Sequence, residues 1–210
     1  MTEKGQVRSA IAGWAWLFSC LVFALPAAAQ DSVGRVEITQ PGPNFALTGA
    51  DGRLHRLSDY AGKVVVLEWT SPVCPYTELK YKSNAMQRLQ ARARRVGAVW
   101  LSIDTAAPDR PGYLSSAAAK IRIARLHATV SAFLSDPDGK VGRLYGAKVT
   151  PTVFILGKDG KLAYQGAMDD GPDSDDLKGR NYIREALDDL AAGRPVRTVE
   201  TRPYGCAVEY

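Results

Sequence analysis

The sequence has little cysteine and little histidine, with three Cys and two His among 210 residues. With so few soft ligands, and none of them clustered at ligand spacing, we expect no dedicated metal site and no cofactor. Charge of one sign is also in small excess: 27 Lys and Arg against 22 Asp and Glu give a net charge of +5, scattered along the chain. This argues against a nucleic-acid partner. The remaining composition, 46% hydrophobic and 23% charged, is typical of one globular domain.

A long apolar run is likewise missing, although a short one lies near the start of the chain. Lys4 and Arg8 precede an apolar stretch over residues 11–25, and Pro26 then leads into three alanines at 27–29. The stretch is shorter than the roughly 20 apolar residues that span a membrane. This pattern predicts a signal peptide over residues 1–29. We therefore expect an exported protein, periplasmic or secreted, with no stable membrane anchor after cleavage.

The predicted mature chain divides into a domain over residues 30–195 and a C-terminal tail over 196–210. Cys20 lies inside the signal peptide, so cleavage leaves Cys74 in the domain and Cys206 in the tail. Two cysteines in an oxidising compartment can form a structural disulfide, a redox pair, or a reactive thiol with a bystander. The sequence alone leaves these three arrangements open.

Hydrophobic patterning predicts an α/β fold with a central mixed sheet flanked by helices. An Asp-Gly turn at residues 51–52 sits between alternating stretches and indicates an N-terminal β-hairpin. Two apolar strands enclose a helical pattern over residues 76–95, which indicates a βαβ unit with parallel strands. The other predicted elements are strands at 64–69, 98–104, 149–156 and 161–166 and helices at 113–127, 141–145 and 182–192.

Cys74 is the residue with the clearest chemistry. It lies where a predicted buried strand ends and a helix begins, with Pro75 at the first helical position. Free N–H groups and the positive end of the helix dipole would favour its thiolate. Lowering a thiol pKa from about 8.5 to about 7 would raise the thiolate fraction at pH 7.5 from about one tenth to about three quarters. Thr77, three residues on, can donate a hydrogen bond to that thiolate but cannot close a disulfide with it.

Two distant motifs resemble the thioredoxin-like superfamily, and more narrowly its redoxin (AhpC/TSA) branch with the peroxiredoxin-like members. They are V-V-V-L-E-W-T-S-P-V-C-P-Y-T-E at residues 64–78 and V-T-P-T-V-F-I-L-x-K-D-G-K-L-A-Y-x-G at residues 149–166. The resemblance runs over residues 42–190 and implies a thioredoxin-like fold. It also implies that Cys74 is the reactive cysteine, and that Pro151 is a cis-proline exposing the backbone of Thr150 to an extended substrate segment.

The same resemblance implies an oxidoreductase that uses a thiol reductant and either a protein disulfide or a peroxide. Ser71 stands three residues before Cys74, where peroxiredoxins carry Thr or Ser. Leu67 occupies the position of their Pro, and Pro151 falls in the region of their peroxide-orienting Arg. Trp69 and Tyr76 flank the cysteine and are candidates for a hydrophobic rim, although core packing is the favoured interpretation for Trp69.

Cys206, four residues from the end of the chain, has two equally supported roles. A tail thiol with a neighbouring glycine suits a resolving cysteine that attacks oxidised Cys74. A permanent Cys74–Cys206 disulfide would instead stabilise the fold, and a free or intermolecular thiol is a third arrangement.

Charged residues near the motif receive predictions of their own. Glu68 either is a buried acid with a raised pKa that relays protons to Cys74, or forms an ion pair at a strand edge. Glu78 and Lys80 are predicted to be solvated. His55 and His127 are predicted to be surface or loop residues rather than ligands.

Two functions compete with a thiol oxidoreductase. One is a non-catalytic binding module that docks a partner segment along the Thr150 edge, with Cys74 vestigial or bonded to Cys206. The other is capture of a soft ion such as Cu(I) by both cysteines.

Overall fold

The computed structural model of the protein describes residues 1–2, 36–171 and 179–210. The predicted signal peptide, with Cys20 and the boundary at residue 29, lies outside the described residues. Residues 36–171 and 179–210 belong to one compact unit. No helix in these ranges is both long and apolar enough to cross a membrane.

The structure is an α/β fold with a central mixed sheet, as the sequence predicts. The strands are β1 (Ala46–Gly49), β2 (Leu54–Arg56), β3 (Val65–Thr70), β4 (Val99–Asp104), β5 (Ala132–Ser135), β6 (Val149–Thr150), β7 (Thr152–Leu156), β8 (Leu162–Gly166) and β9 (Cys206–Ala207). The helices are α1 (Pro75–Lys82), α2 (Ala85–Arg95), α3 (Ser116–Arg125), α4 (Lys140–Tyr145) and α5 (Tyr182–Ala191), and a 3-10 turn covers Leu57–Tyr60.

The main sheet has seven strands in the order β2-β1-β5-β4-β3-β7-β8. Strands β3, β4 and β5 are parallel, whereas β7 runs antiparallel to β3, and β1 runs antiparallel to β5. The predicted βαβ unit is present, with β3 and β4 paired from Val65–Val99 to Thr70–Asp104. Because parallel strands end at the same edge, the chain leaving β3 and the chain leaving β4 lie side by side.

Alternate residues of β3 divide the core into two layers. Val65, Leu67 and Trp69 pack on one face with Tyr145 of α4. Val66 packs on the other face, where α2 and α5 supply most of the helical apolar residues. The six residues of β3 are all buried, so this strand supports the segment that follows it from both sides.

The secondary structure differs from the sequence-based prediction in four places. The single predicted helix at 76–95 is two helices, because Asn84 adopts a left-handed conformation with φ of 60° between them. Strand β5 was not predicted. The predicted strand at 149–156 is divided by Pro151 into β6 and β7. The tail, for which the sequence predicts no strand or helix, contains β9, which pairs with β6 in a separate two-stranded sheet.

Candidate active site at Cys74

Cys74 is the N-cap residue of α1, four residues after the end of β3, and Pro75 occupies the first turn as predicted. The side chain of Cys74 is fully buried, at 0% exposure. Its backbone N–H donates to the carbonyl of Ser71 at 3.4 Å, and its carbonyl accepts from Glu78 at 3.1 Å. These two bonds fix the cysteine at the strand-to-helix junction, where the free N–H groups of the first turn favour an anion.

Thr150 lies against the sulfur of Cys74, and Pro151 follows it in the chain. The bond between them is cis, as the resemblance implies. The carbonyl oxygen of Thr150 is 3.0 Å from the Cys74 Sγ atom. A thiol at this position would donate its proton to that oxygen, whereas a thiolate would rely on the helix N-terminus instead.

Cys74 and Cys206 form a disulfide, with 5.7 Å between their Cα atoms and a sequence separation of 132. The strand β9 carries Cys206 and runs antiparallel to β6, so that Cys206 lies opposite Thr150 and Ala207 opposite Val149. The edge that was predicted to receive an extended substrate segment is thus occupied by the protein's own tail.

Further contacts fix the end of the tail to the domain. The N–H of Val208 donates to the carbonyl of Lys148 at 3.0 Å. The Glu209 carboxylate accepts from the N–H of Gly112 at 3.0 Å. Tyr210 donates its hydroxyl proton to the carbonyl of Ala147, and the Arg143 guanidinium lies 4.5 Å from the centre of the Tyr210 ring.

Tyr204, just before Cys206, connects the tail to a buried ion pair. Its hydroxyl donates to the Asp169 carboxylate and lies 3.0 Å from the carbonyl of Gly171. The Nζ atom of Lys80 is 2.7 Å from Asp169, and both side chains are fully buried. Tyr76 contacts the Tyr204 ring edge to face, with 5.8 Å between centroids. Burial raises the pKa of Asp169, and the hydrogen bonds from Lys80 and Tyr204 offset part of that shift.

The structure corrects the predictions for three side chains near the motif. Lys80 is buried rather than solvated, and Glu78 is partly buried, with its Oε1 atom 2.6 Å from Arg122. Trp69 packs in the core and is not part of a rim: it is fully buried between Tyr145 and another aromatic ring, because the odd-numbered residues of β3 face the core layer that contains both rings. Tyr76 is 37% exposed beside the cysteine and remains a rim candidate.

The predicted polar neighbours of Cys74 take different positions. The hydroxyl of Thr77 is buried and has no hydrogen-bond partner within the described part of the chain. It is thus available to a sulfur anion one helical turn away. The hydroxyl of Ser71 accepts a long bond of 3.4 Å from the N–H of Val73, so it caps the loop.

Glu68 is a buried acid rather than a strand-edge residue. It lies on the interior strand β3 at 0% exposure and accepts hydrogen bonds from Ser102 at 2.6 Å and from the Trp100 indole at 2.8 Å. Burial raises its pKa, and these bonds counteract part of the shift. The burial of Glu68 and its raised pKa therefore agree with the predicted buried acid and not with an ion pair at a strand edge.

Sequence reasoning missed Asp104, the last residue of β4. It is paired with Thr70 across the parallel strands and is buried. Burial raises its pKa to about 7, with smaller increases from the charges of Glu209 and Asp136 and decreases from a Leu114 N–H bond and the charge of Arg122. Its place at the edge where parallel strands end was the signal in the sequence, since functional groups gather there.

Metal binding receives no support from clustering. Among residues 36–171 and 179–210, no three His, Cys, Asp or Glu side chains are grouped as metal ligands. His55 bonds to Tyr60 and Asp51 near the hairpin turn.

Known proteins give consistent comparisons. The thiol-disulfide oxidoreductase ResA of Geobacillus thermodenitrificans is 26% identical over 134 residues, which are 60% of this chain and 67% of that protein. An uncharacterized conserved protein from Geobacillus kaustophilus superposes with a TM-score of 0.73 at 26% identity, covering 85% of this chain and 94% of the other. A putative thiol:disulfide interchange protein DsbE from Chlorobium tepidum gives 0.52 at 28% identity, covering 62% and 84%.

These likenesses agree with a thioredoxin-like fold for the chain. The AhpC/TSA family matches residues 38–165. This range contains the whole first motif and all of the second motif except its last residue, Gly166. The chain therefore belongs to the AhpC/TSA family.

Proposed function

We propose that this protein is an exported thiol-disulfide oxidoreductase in which Cys74 and Cys206 alternate between dithiol and disulfide. The observation that carries the proposal is the disulfide itself: it joins a cysteine at a helix start to a cysteine on a short strand that pairs with Thr150. The names of the ResA relatives, at 26% identity, support the same class of reaction.

In the proposed reaction, the Cys74 thiolate attacks one sulfur of a substrate disulfide and releases the other substrate sulfur as a thiolate. Cys206 then attacks the Cys74 sulfur of the mixed disulfide, which releases the second substrate thiolate. The substrate gains two electrons, and the protein is left with the Cys74–Cys206 disulfide. Two equivalents of a thiol reductant restore the dithiol.

The residues around Cys74 suit these steps. The start of α1 favours the attacking thiolate, and the unpartnered hydroxyl of Thr77 is available to hydrogen-bond it. The Thr150 carbonyl can accept the proton of the resting thiol at 3.0 Å. With the tail displaced, the backbone of Val149 and Thr150 would pair with an extended polypeptide in the manner of β9, so we assign a protein disulfide as substrate.

Export is part of the proposal, supported by the basic, apolar and small-residue pattern of residues 1–29. A disulfide also persists more readily in an oxidising compartment. Expression of the full chain in a bacterial host, followed by fractionation, should place a shortened protein outside the cytoplasm. An uncleaved protein in the cytoplasm would contradict this part.

The test is turnover of a protein disulfide, such as that of insulin, with dithiothreitol as the electron source. We expect Cys74→Ser to abolish catalysis. Reduced Cys206→Ser, mixed with insulin after dithiothreitol has been removed, should accumulate a mixed disulfide that intact mass spectrometry detects. Ala207→Ser is the matched control, because it changes an exposed neighbour on β9 and leaves both sulfurs in place. Activity that survives Cys74→Ser would overturn the assignment.

Hydrogen peroxide serves as the alternative substrate in the same assay. A protein that consumes peroxide through Cys74 but leaves insulin intact would be a peroxidase. A disulfide that dithiothreitol cannot open under native conditions would favour the non-catalytic binding module, with Cys74–Cys206 as a structural bond.

A further inference from the structure

The two cysteines of the Cys74–Cys206 disulfide differ in their exposure to solvent. Cys74 is fully buried, whereas Cys206 is partly exposed. Cys206 also lies between Gly205 and Ala207, two residues with almost no side chain. A nucleophile approaching from solvent therefore meets Cys206 first.

The two sulfurs also differ as leaving groups. Attack on Cys206 would expel the sulfur of Cys74, which lies at the N-terminus of the eight-residue helix α1. Attack on Cys74 would expel the sulfur of Cys206, on a two-residue strand. Because the sulfur with the more stable thiolate leaves faster, the leaving-group preference agrees with the access preference.

From these observations we propose that Cys206 is the sulfur attacked by the thiol that reduces the protein. This inference rests on the redox role proposed above for the two cysteines and assigns the entry point of the electrons. In the step, an external thiolate RS⁻ bonds to the Cys206 sulfur, the Cys74–Cys206 bond breaks, and the electron pair leaves on the Cys74 sulfur. A second RS⁻ then attacks the mixed disulfide at the RS sulfur and frees Cys206 as a thiolate, with RSSR as the oxidised product.

The assignment separates the roles of the two cysteines. Cys206 receives electrons from a small thiol at the surface, and Cys74 delivers them to the substrate. The first attack also removes the covalent link that holds β9 against β6, so reduction precedes the uncovering of the Thr150 edge.

The test is to map the first adduct. Oxidised protein is mixed with 2-mercaptoethanol, quenched in acid within milliseconds to seconds, digested with pepsin at low pH and analysed by mass spectrometry. We expect the mercaptoethanol adduct on Cys206 to exceed that on Cys74 by about tenfold or more at early times. The same reaction in 8 M urea is the control, where the two sulfurs are equally accessible and the ratio should approach one.

Sulfite in the presence of iodoacetamide provides a second measurement in case the thiol adduct is short-lived. Sulfite displaces one sulfur and leaves a stable S-sulfonate on the other, and iodoacetamide alkylates the liberated thiolate. An S-sulfonate on Cys206 with an alkylated Cys74 supports the proposal. The reverse pattern, or equal labelling under native conditions, overturns it while leaving the redox function intact. A disulfide that neither reagent opens overturns both the entry point and the proposed function.

Discussion

The two ends of the disulfide are held in different ways. Cys74 follows a strand buried on both faces and begins a helix, so its position is determined by the core of the domain. Cys206 lies on a two-residue strand that is fixed by backbone pairing and by contacts of single residues such as Tyr204 and Glu209. One half of the site is therefore built into the core of the domain, and the other half is attached to its surface by the tail.

The Cys74–Cys206 disulfide, which attaches the tail to the domain, should make a large contribution to the free energy of unfolding. The disulfide closes a loop with a sequence separation of 132. In the chain-entropy description, opening a loop of this size lowers the free energy of unfolding by about 5 kcal/mol. We expect two samples without the disulfide, reduced wild-type protein and Cys206→Ser under oxidising conditions, to unfold at similarly low urea concentrations. Both midpoints should lie well below that of oxidised wild type. Ala207→Ser should unfold like wild type, and equal midpoints for all four samples would contradict the prediction.

The titration of Asp104, at the end of the buried strand β4, should make a somewhat smaller contribution to the free energy of unfolding. Its pKa is raised to about 7 by burial. Because the unfolded chain releases this proton near pH 4 and the folded chain near pH 7, stability should fall as pH rises from about 4 to about 7, by as much as about 4 kcal/mol. Above pH 7 this contribution should be constant.

Asp104→Asn removes that titration. We expect the variant to be more stable than wild type at pH 8 and to lack the decline between pH 4 and 7, as measured by urea unfolding across the pH range. Glu209→Gln is the companion variant, since the Glu209 charge raises the pKa of Asp104 from the tail. Its decline should start at the same pH as in wild type and end at a slightly lower pH. An unchanged pH profile in Asp104→Asn would refute the assignment.

The pairing of β9 with β6 can be weakened without removing either cysteine, and the expected loss of stability is the smallest of the three. Gly205 has φ of +143°, and a Cβ atom there would lie 1.9 Å from the Thr150 carbonyl oxygen. Gly205→Ala should therefore push β9 off β6, at a cost of about 2 kcal/mol. Dithiothreitol should open the disulfide of this variant several-fold faster than that of wild type.

Gly193→Ala is the control for backbone strain, because Gly193 also has a positive φ, at +69°, but has open space where a Cβ would be placed. It should lose stability without a change in the rate of disulfide opening. Equal opening rates for Gly205→Ala and wild type would show that β9 pairing does not protect the bond.

The same division decides how much could be predicted from the sequence. The strand, Cys74 and the Pro75 helix start follow from local patterning, and these predictions agree with the structure. The burial of Trp69 agrees with the core-packing interpretation of this residue and not with its place in a rim. The helix break at Asn84 depends on a left-handed residue that local propensity signals only weakly.

The rest depends on contacts between distant residues. Lys80 and Asp169 are 89 positions apart and become an ion pair only when the chain after β8 packs against α1. The strand β9 is too short to have a pattern of its own and exists through its pairing with β6. The sequence does not decide between a disulfide and free thiols for Cys74 and Cys206 for the same reason, since the spacing of two cysteines does not determine whether they are bonded.

The pairing of Thr150 with Cys206 has a consequence for turnover. The tail and a bound polypeptide would compete for the same backbone groups, and the tail is present at a high effective concentration because it is tethered. In the proposed reaction, closing the disulfide and reoccupying β6 are one event. Product release is therefore coupled to the oxidation of the protein, so that a client chain is displaced at the moment its own disulfide has been reduced.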